Sequence, residues 1–303
     1  MSLVVINHSK KMRRQDFVFW MIGFTVLFFS LLTLLALIFD LFTTGWVRIG
    51  PEFFTSFPSR FPEKAGILAA WVGSLIIIVV TASISIPLGV ATAIYLEEYA
   101  TKSKLSRLIE LNILNLAGVP SIIYGIMALG IFVYYFKWGQ SILTASLTLA
   151  LLILPIIIVA TRESIRTIPQ FIREASYSVG ATKWQTIRYH ILPYSSGGIM
   201  TGVVIALSRA IGETAPLITV GALSFIAFLP TSPFSAESPY LSSQWLFDPY
   251  TVLPIQMFNW VSRPQEEFHV NAAAAGAVLL TLTLLLNGLA IFIRYRFRKK
   301  YKW

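Results

Sequence analysis

Cysteine is absent from this 303-residue chain. That removes disulfide frameworks and thiolate metal sites from consideration and leaves the redox compartment open. Histidine is nearly as scarce, with His8, His190 and His269 on three separate segments, so no imidazole cluster for a metal or an acid–base pair can be built from sequence neighbours. Charge is thin as well: 13% of residues are charged against 56% hydrophobic, a balance outside that of soluble domains. Acidic residues number 14 against 24 basic, for a net charge of +10. A nucleic-acid binder would gather such an excess on one folded face. Here long apolar runs separate the basic groups, so the expected partner is a lipid bilayer and not nucleic acid. No H-E-x-x-H, G-x-S-x-G or Walker A glycine loop occurs. No catalytic residue, metal ligand or nucleotide site is therefore assigned, and the chain is expected to be no enzyme by itself.

What is present is apolar sequence in span-sized lengths. About 20 apolar residues cross a hydrocarbon core of about 30 Å. Residues 17–39, 65–96, 111–136, 138–161 and 270–293 contain no Asp, Glu, Lys or Arg, and each reads as a spanning helix. A sixth begins after His190-Ile191-Leu192-Pro193 and runs to about residue 221, interrupted by Arg209 and Glu213. The expected fold is all-α and polytopic, with six transmembrane helices. A tail over 1–16 precedes a transmembrane domain over 17–293, whose core is about 65–293, and a basic tail over 294–303 follows. The first apolar run, although preceded by Lys10, Lys11, Arg13 and Arg14, is too long for a signal peptide and has no small-residue cleavage site before Asp40. Six spans place both termini on one side. That side carries 18 of the 24 basic residues, against Arg48, Arg60, Lys64, Lys137 and Arg263 opposite and Arg209 within the membrane. The positive-inside rule makes both termini cytoplasmic.

The loops differ in character. The outer loop over 224–269 holds Phe225, Phe228, Phe234, Tyr240, Trp245, Phe247 and Tyr250 together with Pro230, Pro233, Pro239, Pro249 and Pro254; it reads either as a covering lid or as a docking platform. The cytoplasmic loop over 162–193 lacks helix breakers between Phe171 and Val179, and Gly180 falls where a C-terminal cap belongs. A second helix is expected from about 182 to 191, ending at Pro193. Such a knob either reinforces the membrane surface or docks a partner. Arg162, where the loop leaves span four, is a candidate for the transport pathway or for a cytoplasmic gate.

Charges at bilayer depth cost at least about 2.5–3.5 kcal/mol each, so Arg209 and Glu213 need a reason. Counted from an entry near Ser195, Arg209 lies about 21 Å along the helix axis, at or past mid-membrane. Four residues apart, the two share a helix face, in the less favourable order for an isolated pair. Pro216 has no amide hydrogen and clashes with the Gly212 carbonyl, which predicts a kink between Gly212 and Pro216. One reading is an ion pair that holds two helices together, which its desolvation makes poor glue. The other is an anion contact, to which the planar, permanently charged guanidinium is suited, with Glu213 holding it in place.

Two motifs carry a resemblance. Glu174-Ala175-Ser176, three residues, Gly180, then nine residues before His190-Ile191-Leu192-Pro193 resembles the E-A-A-x3-G-x9-I-x-L-P motif of ABC importer permeases, with Ser176 and His190 departing from it. The resemblance implies a type I ABC importer permease fold, MetI-like. It also implies that Glu174, Ala175, Ser176, Gly180, Leu192 and Pro193 form the coupling element seated in a cytoplasmic ATPase subunit. Second, the segment from Ser208 to Leu217, the segment Gly118-Val119-Pro120-Ser121-Ile122-Ile123-Tyr124-Gly125, and Ile94-Tyr95-Leu96-Glu97-Glu98-Tyr99 are similar to signatures of bacterial phosphate importer permeases. These come as a pair, PstA and PstC, and the chain looks more like PstA. The resemblance implies a location in the bacterial inner membrane and a role as half of a phosphate path driven by ATP. Its partners would be a PstC-like sister permease, a PstB-like ATPase dimer and an extracytoplasmic PstS-like binding protein. ATP and Mg would be held by the ATPase, leaving no cofactor for this chain. A permease for another oxyanion is the alternative. A secondary anion transporter should instead show paired broken helices in inverted repeats, and only one broken helix is legible.

Overall fold

The computed structural model describes residues 2–101, 103–233 and 242–300, without the side chains of 2–14 and 297–300. Lys10, Lys11, Arg13, Arg14, Lys102, Arg298, Lys299, Lys300 and Lys302 of the orientation count, and Phe234, Pro239 and Tyr240 of the 224–269 loop, lie outside the described residues or side chains.

Apolar segments in lipid must satisfy their backbone internally, and helices do so within one segment. The described residues accordingly form α1 (Ser2–Trp46), α2 (Leu68–Tyr99), α3 (Lys104–Ala117), α4 (Ser121–Tyr135), α5 (Ile142–Arg166), α6 (Gln170–Ser178), α7 (Lys183–Gly212), α8 (Ala215–Val220), α9 (Leu253–Val261) and α10 (Glu266–Lys300). Five of them, α1, α2, α5, α7 and α10, are long and apolar enough to cross a membrane, and the bent pair α3–α4 makes a sixth if counted as one span.

Three helix ends differ from expectation. The straight third span over 111–136 is broken: α3 and α4 meet at 105°. Gly118-Val119-Pro120 is the cause, because Pro120 offers no amide and pushes Val119 out of the helical region. The helix expected to stop at Pro193 runs on through it as α7. Its turn Ile187–Ile191 is a π-turn, which widens the helix where the proline ring would otherwise strike the carbonyl four residues back. The kink at Gly212–Pro216 is instead a full break. α7 ends at Gly212, Glu213 is extended (φ −72, ψ 126), and α8 restarts with Pro216 in its first turn, where a missing amide costs nothing.

α5 is the central helix, with 67% of its most apolar window buried against 0% for α1. α2, α3, α4, α7 and α8 all pack on it. The α5–α7 contact is made by small residues: a Cβ at Gly198 or Gly202 would overlap the side chains of Ser164 and Ala160, also four apart. α1 lies along α10, its Gly45 against the backbone of Ala273 and Ala274.

The bundle has two faces. One carries α6. At the other, Phe53, Trp260 and Phe268 form an aromatic cluster with ring centroids 6.0 and 6.5 Å apart. Arg48 there donates to Asn271 Oδ1 at 3.0 Å and to the carbonyls of Pro62, Glu63 and Ala65, clasping the end of α1 to α10. The loop over 224–269 is covering in its second half: Tyr250, Val252 and Leu253 are buried, and the Leu253 amide donates to Ser74 Oγ at 2.9 Å. Phe225 and Phe228 remain exposed.

Candidate functional site

The broken helix sets the first site. Arg209 sits in the last turn of α7, where the final carbonyls lose their helical partners and the dipole favours a cation. Its Nε donates to Glu213 Oε1 at 3.2 Å, and the side chains are 42% and 15% exposed. This is the one ion pair of Arg209 among the described residues, and its hydrogen bond is made through Nε. The break is walled by α4. Gly125 lets α4 approach α8 so closely that an added Cβ would overlap Thr219 Oγ1 and lie 2.7 Å from the Pro216 carbonyl oxygen. The Gly118–Gly125 and Ser208–Leu217 motifs, about ninety positions apart in sequence, are thus packed together beside Arg209. Ser208 donates to Asn287 Oδ1 at 2.5 Å, tying the same turn to α10.

The knob over 162–193 sets the second. α6 ends in a Schellman arrangement: Gly180 has φ +82, its amide donates to the Tyr177 carbonyl at 2.9 Å, and the Ala181 amide donates to the Ser176 carbonyl at 3.2 Å. α7 then opens with a reciprocal capping box between Thr182 and Gln185. Glu174 and Ala175 are exposed. Ser176 is buried, and its hydroxyl pairs with Thr186 Oγ1 at 2.8 Å, so the hydroxyl that departs from the E-A-A pattern has a dedicated partner. His190 is only half-buried; the apolar anchor falls on Ile187 and Ile191, fully buried against Ile94, Ile165 and Ile168. Leu192 is half-buried against the same cluster, and Pro193 continues into α7. Phe171, Val179, Trp184 and Tyr189 leave an exposed apolar patch on the knob.

Beneath the knob lies an ionic belt. Arg162, 9% exposed, meets Glu97 at 3.4 Å and Glu110 at 3.0 Å. Arg166 meets Glu97, Glu110 and Glu163 at 3.0, 3.4 and 3.0 Å. Arg173 meets Glu98 at 2.8 Å, at side-chain exposures of 11% and 6%. An open cleft of about 550 Å³ lies between Glu97, Glu98, Arg166, Arg173, Tyr177 and Lys183. The belt contains Arg162 but was otherwise not singled out from sequence. The available signal was complementarity: Glu97, Glu98 and Glu110 flank one loop, and Arg162, Arg166 and Arg173 flank the next on the same side. Arg162 is saturated by carboxylates and Arg209 is not, so the two arginines differ in what they can still bind. Gly212 and Pro216 bracket the break, and Glu213 lies within it.

Comparison with known proteins agrees with this architecture. Residues 85–302 match the family model described as binding-protein-dependent transport system inner membrane component. The phosphate transport system permease protein PstA of Pasteurella multocida is 30% identical over 97% of this chain and 98% of its own length. That of Haemophilus influenzae is 30% identical over 97% and 95%, and PstA 1 of Mycobacterium tuberculosis H37Rv is 29% identical over 90% and 85%. An inward-facing structure of the MetNI methionine ABC transporter shares the fold, with TM-score 0.56 at 18% identity over 76% of this chain and 94% of that one. The chain therefore belongs to the binding-protein-dependent transport system inner membrane components and, among them, to the PstA permeases.

Proposed function

We propose that this chain is the transmembrane permease subunit of an ATP-driven importer of inorganic phosphate and forms half of the translocation path. Arg209 is the phosphate contact. The observation that carries this reading is the state of that side chain: 42% exposed at a helix break, with a single carboxylate partner. Its terminal nitrogens are left to meet two oxygens of a phosphate in a fork. The buried arginines of the belt lack that freedom. The chain itself is non-catalytic and holds no cofactor; ATP and Mg belong to an ATPase dimer. A sister permease, related to PstC, supplies the other half of the path, and a phosphate-binding protein delivers from the outer side.

The bias of basic residues supports cytoplasmic termini in the bacterial inner membrane, which places α6 on the cytoplasmic side. There the exposed apolar side chains of Phe171, Val179, Trp184 and Tyr189, beside Glu174 and Ala175, support a docking surface, with the ATPase subunit as its occupant.

The test compares Arg209→Gln, Arg209→Lys and the double variant Arg209→Gln/Glu213→Gln in the assembled complex. A phosphate contact predicts near-normal abundance and ATPase assembly in Arg209→Gln with collapse of phosphate uptake, and no recovery in the double variant. Arg209→Lys keeps the charge without the fork and loses most uptake. Helix glue predicts low abundance in Arg209→Gln, corrected in the double variant because no lone charge remains. Phosphate uptake restored in the double variant at normal expression refutes the assignment.

A further inference from the structure

Three consecutive residues in the terminal π-turn of α2, Tyr95–Tyr99, contact three different elements. Glu97 binds Arg162 and Arg166 of α5. Glu98 binds Arg173 of α6 at 2.8 and 3.1 Å. The Tyr99 ring receives the ammonium of Lys183, the first residue of α7, at 4.9 Å. Arg173 itself spans a junction: besides Glu98 it donates to the carbonyls of Ile168 at 2.9 Å and Ile165 at 3.3 Å, at the C-terminal end of α5. One guanidinium on α6 therefore holds both α2 and α5, in a pair almost shut off from solvent. The remainder of α6 is tied less widely, by Ile172 against the isoleucine cluster and by Ser176 to Thr186 of α7.

A buried ion pair is a poor source of net stability compared with apolar packing, because desolvation offsets the attraction. What such a pair does supply is a fixed geometry, since Arg donors lie in one rigid plane. The π-turn adds a means of response, because widened turns are places where a helix can readjust its register.

We propose that Glu98 and Arg173 are the link by which displacement of α6 reaches α2, so that α6 and the π-turn Tyr95–Tyr99 move as one body during the transport cycle. This rests on the reading of α6 as the element that docks the ATPase subunit. Glu98 and Arg173 are positioning residues: neither meets phosphate, and both act through the helices they join.

The experiment uses the full complex with its ATPase and sister subunits, made cysteine-free; this chain has no cysteine of its own. Spin labels at Tyr95→Cys and Ser178→Cys, both exposed positions, report the α2–α6 distance without nucleotide and with ATP trapped. A rigid link gives one narrow distance in both states. Glu98→Gln in the labelled protein broadens it, and phosphate moved per ATP hydrolysed falls about tenfold, the effect of losing one charge-assisted hydrogen bond from a two-state element, while ATP hydrolysis continues. Should Glu98→Gln fail to assemble, Arg173→Lys is read instead; it keeps the charge opposite Glu98 but cannot reach both α5 carbonyls, and lowers the same ratio. A shift of about one helical turn, ~5 Å, between nucleotide states in the parent protein overturns the proposal. So does an unchanged phosphate-to-ATP ratio in the variant read. A parent complex that hydrolyses ATP without accumulating phosphate refutes the functional reading instead, and the distance measurement still decides the link.

Discussion

Gly125→Ala is the smallest change that tests whether the two signature motifs are pressed together as described. The added methyl would overlap Thr219 Oγ1 and lie 2.7 Å from the Pro216 carbonyl oxygen and 2.8 Å from Pro216 Cα. Thr219 can rotate away, at the expense of its hydrogen bond to that same carbonyl at 2.8 Å. Pro216 cannot, because its clashing atoms are backbone. Separating α4 from α8 by the necessary few tenths of an ångström costs about 1–3 kcal/mol, the usual range for overpacking. Against this, Ala for Gly within a helix gains about 1 kcal/mol. The balance is a net loss of about 0–2 kcal/mol for Ala, and Gly125→Val, with two more methyl groups and a poorer helix propensity, falls well below it.

Gly288→Ala in α10 is the control, since a Cβ there meets nothing within 4 Å and only the gain in propensity remains. Thermal unfolding in detergent, read alongside phosphate uptake in cells, should rank Gly288→Ala at or above the parent, Gly125→Ala at or below it, and Gly125→Val last. Uptake should fall more steeply than abundance in the Gly125 variants, because the displaced α8 begins at the break that presents Arg209. If Gly125→Val matches Gly288→Ala in both stability and uptake, the close approach of α4 to α8 is wrong.

Two further outcomes follow from the knob and the bundle. Thr186→Val removes the partner of the buried Ser176 hydroxyl and should destabilise α6 by about 1–3 kcal/mol, lowering co-purified ATPase, while Ser176→Ala added to it should restore both; no restoration would detach that hydrogen bond from docking. Gly202→Leu on α7 meets Ala160 across the α5 contact and should lower folded yield by an overpacking cost of about 1–3 kcal/mol or more, with Ala160→Gly recovering part of it in the double variant.

How legible these features were depended on the range over which each signal acts. Hydropathy is local, so four of the six apolar stretches read correctly as continuous helices, and the polar interruption at Arg209 marked a fifth. The break at Gly118-Val119-Pro120 was hidden by averaging, because both arms are apolar enough to pass as one span although α3 actually begins at Lys104, with Ser103 as its cap. Pro193 was misjudged for the opposite reason: a proline usually ends a helix, and only the π-turn at Ile187–Ile191 lets this one continue. The Schellman turn at Gly180 follows from residue type alone. The belt does not, since Glu97 and Arg162 are 65 positions apart and Glu98 and Arg173 are 75. Such pairings depend on how α2 and α5 are set side by side. Even so, the Gly198-x3-Gly202 spacing in an apolar helix was a local signal for that kind of close packing, and it predicts the α5–α7 contact without any fold in hand.

The contrast among the arginines bears on how tightly an anion can be held. Arg162 and Arg166 each carry two or more carboxylates, and Arg173 one carboxylate and two carbonyls, so a phosphate arriving there must displace established partners. Arg209 has one partner, and Glu213 stands between the C-terminal end of α7 and the start of α8, so the two helix ends act on its charge in opposite senses. A phosphate approaching the terminal nitrogens of Arg209 gains a two-point contact but also meets the Glu213 carboxylate. On the proposed reading, attraction by Arg209 and repulsion by Glu213, whose groups lie 3.2 Å apart, act on the anion together and keep the contact shallow. That suits a path, where an ion must be drawn in yet leave again, and it is unsuited to a high-affinity store. Neutralising Glu213 alone should then deepen the contact, so that Glu213→Gln slows uptake by retaining the anion while Arg209→Gln slows it by never admitting the anion. The two losses have opposite signatures in the phosphate concentration needed for half-maximal transport, lower for the first and higher for the second.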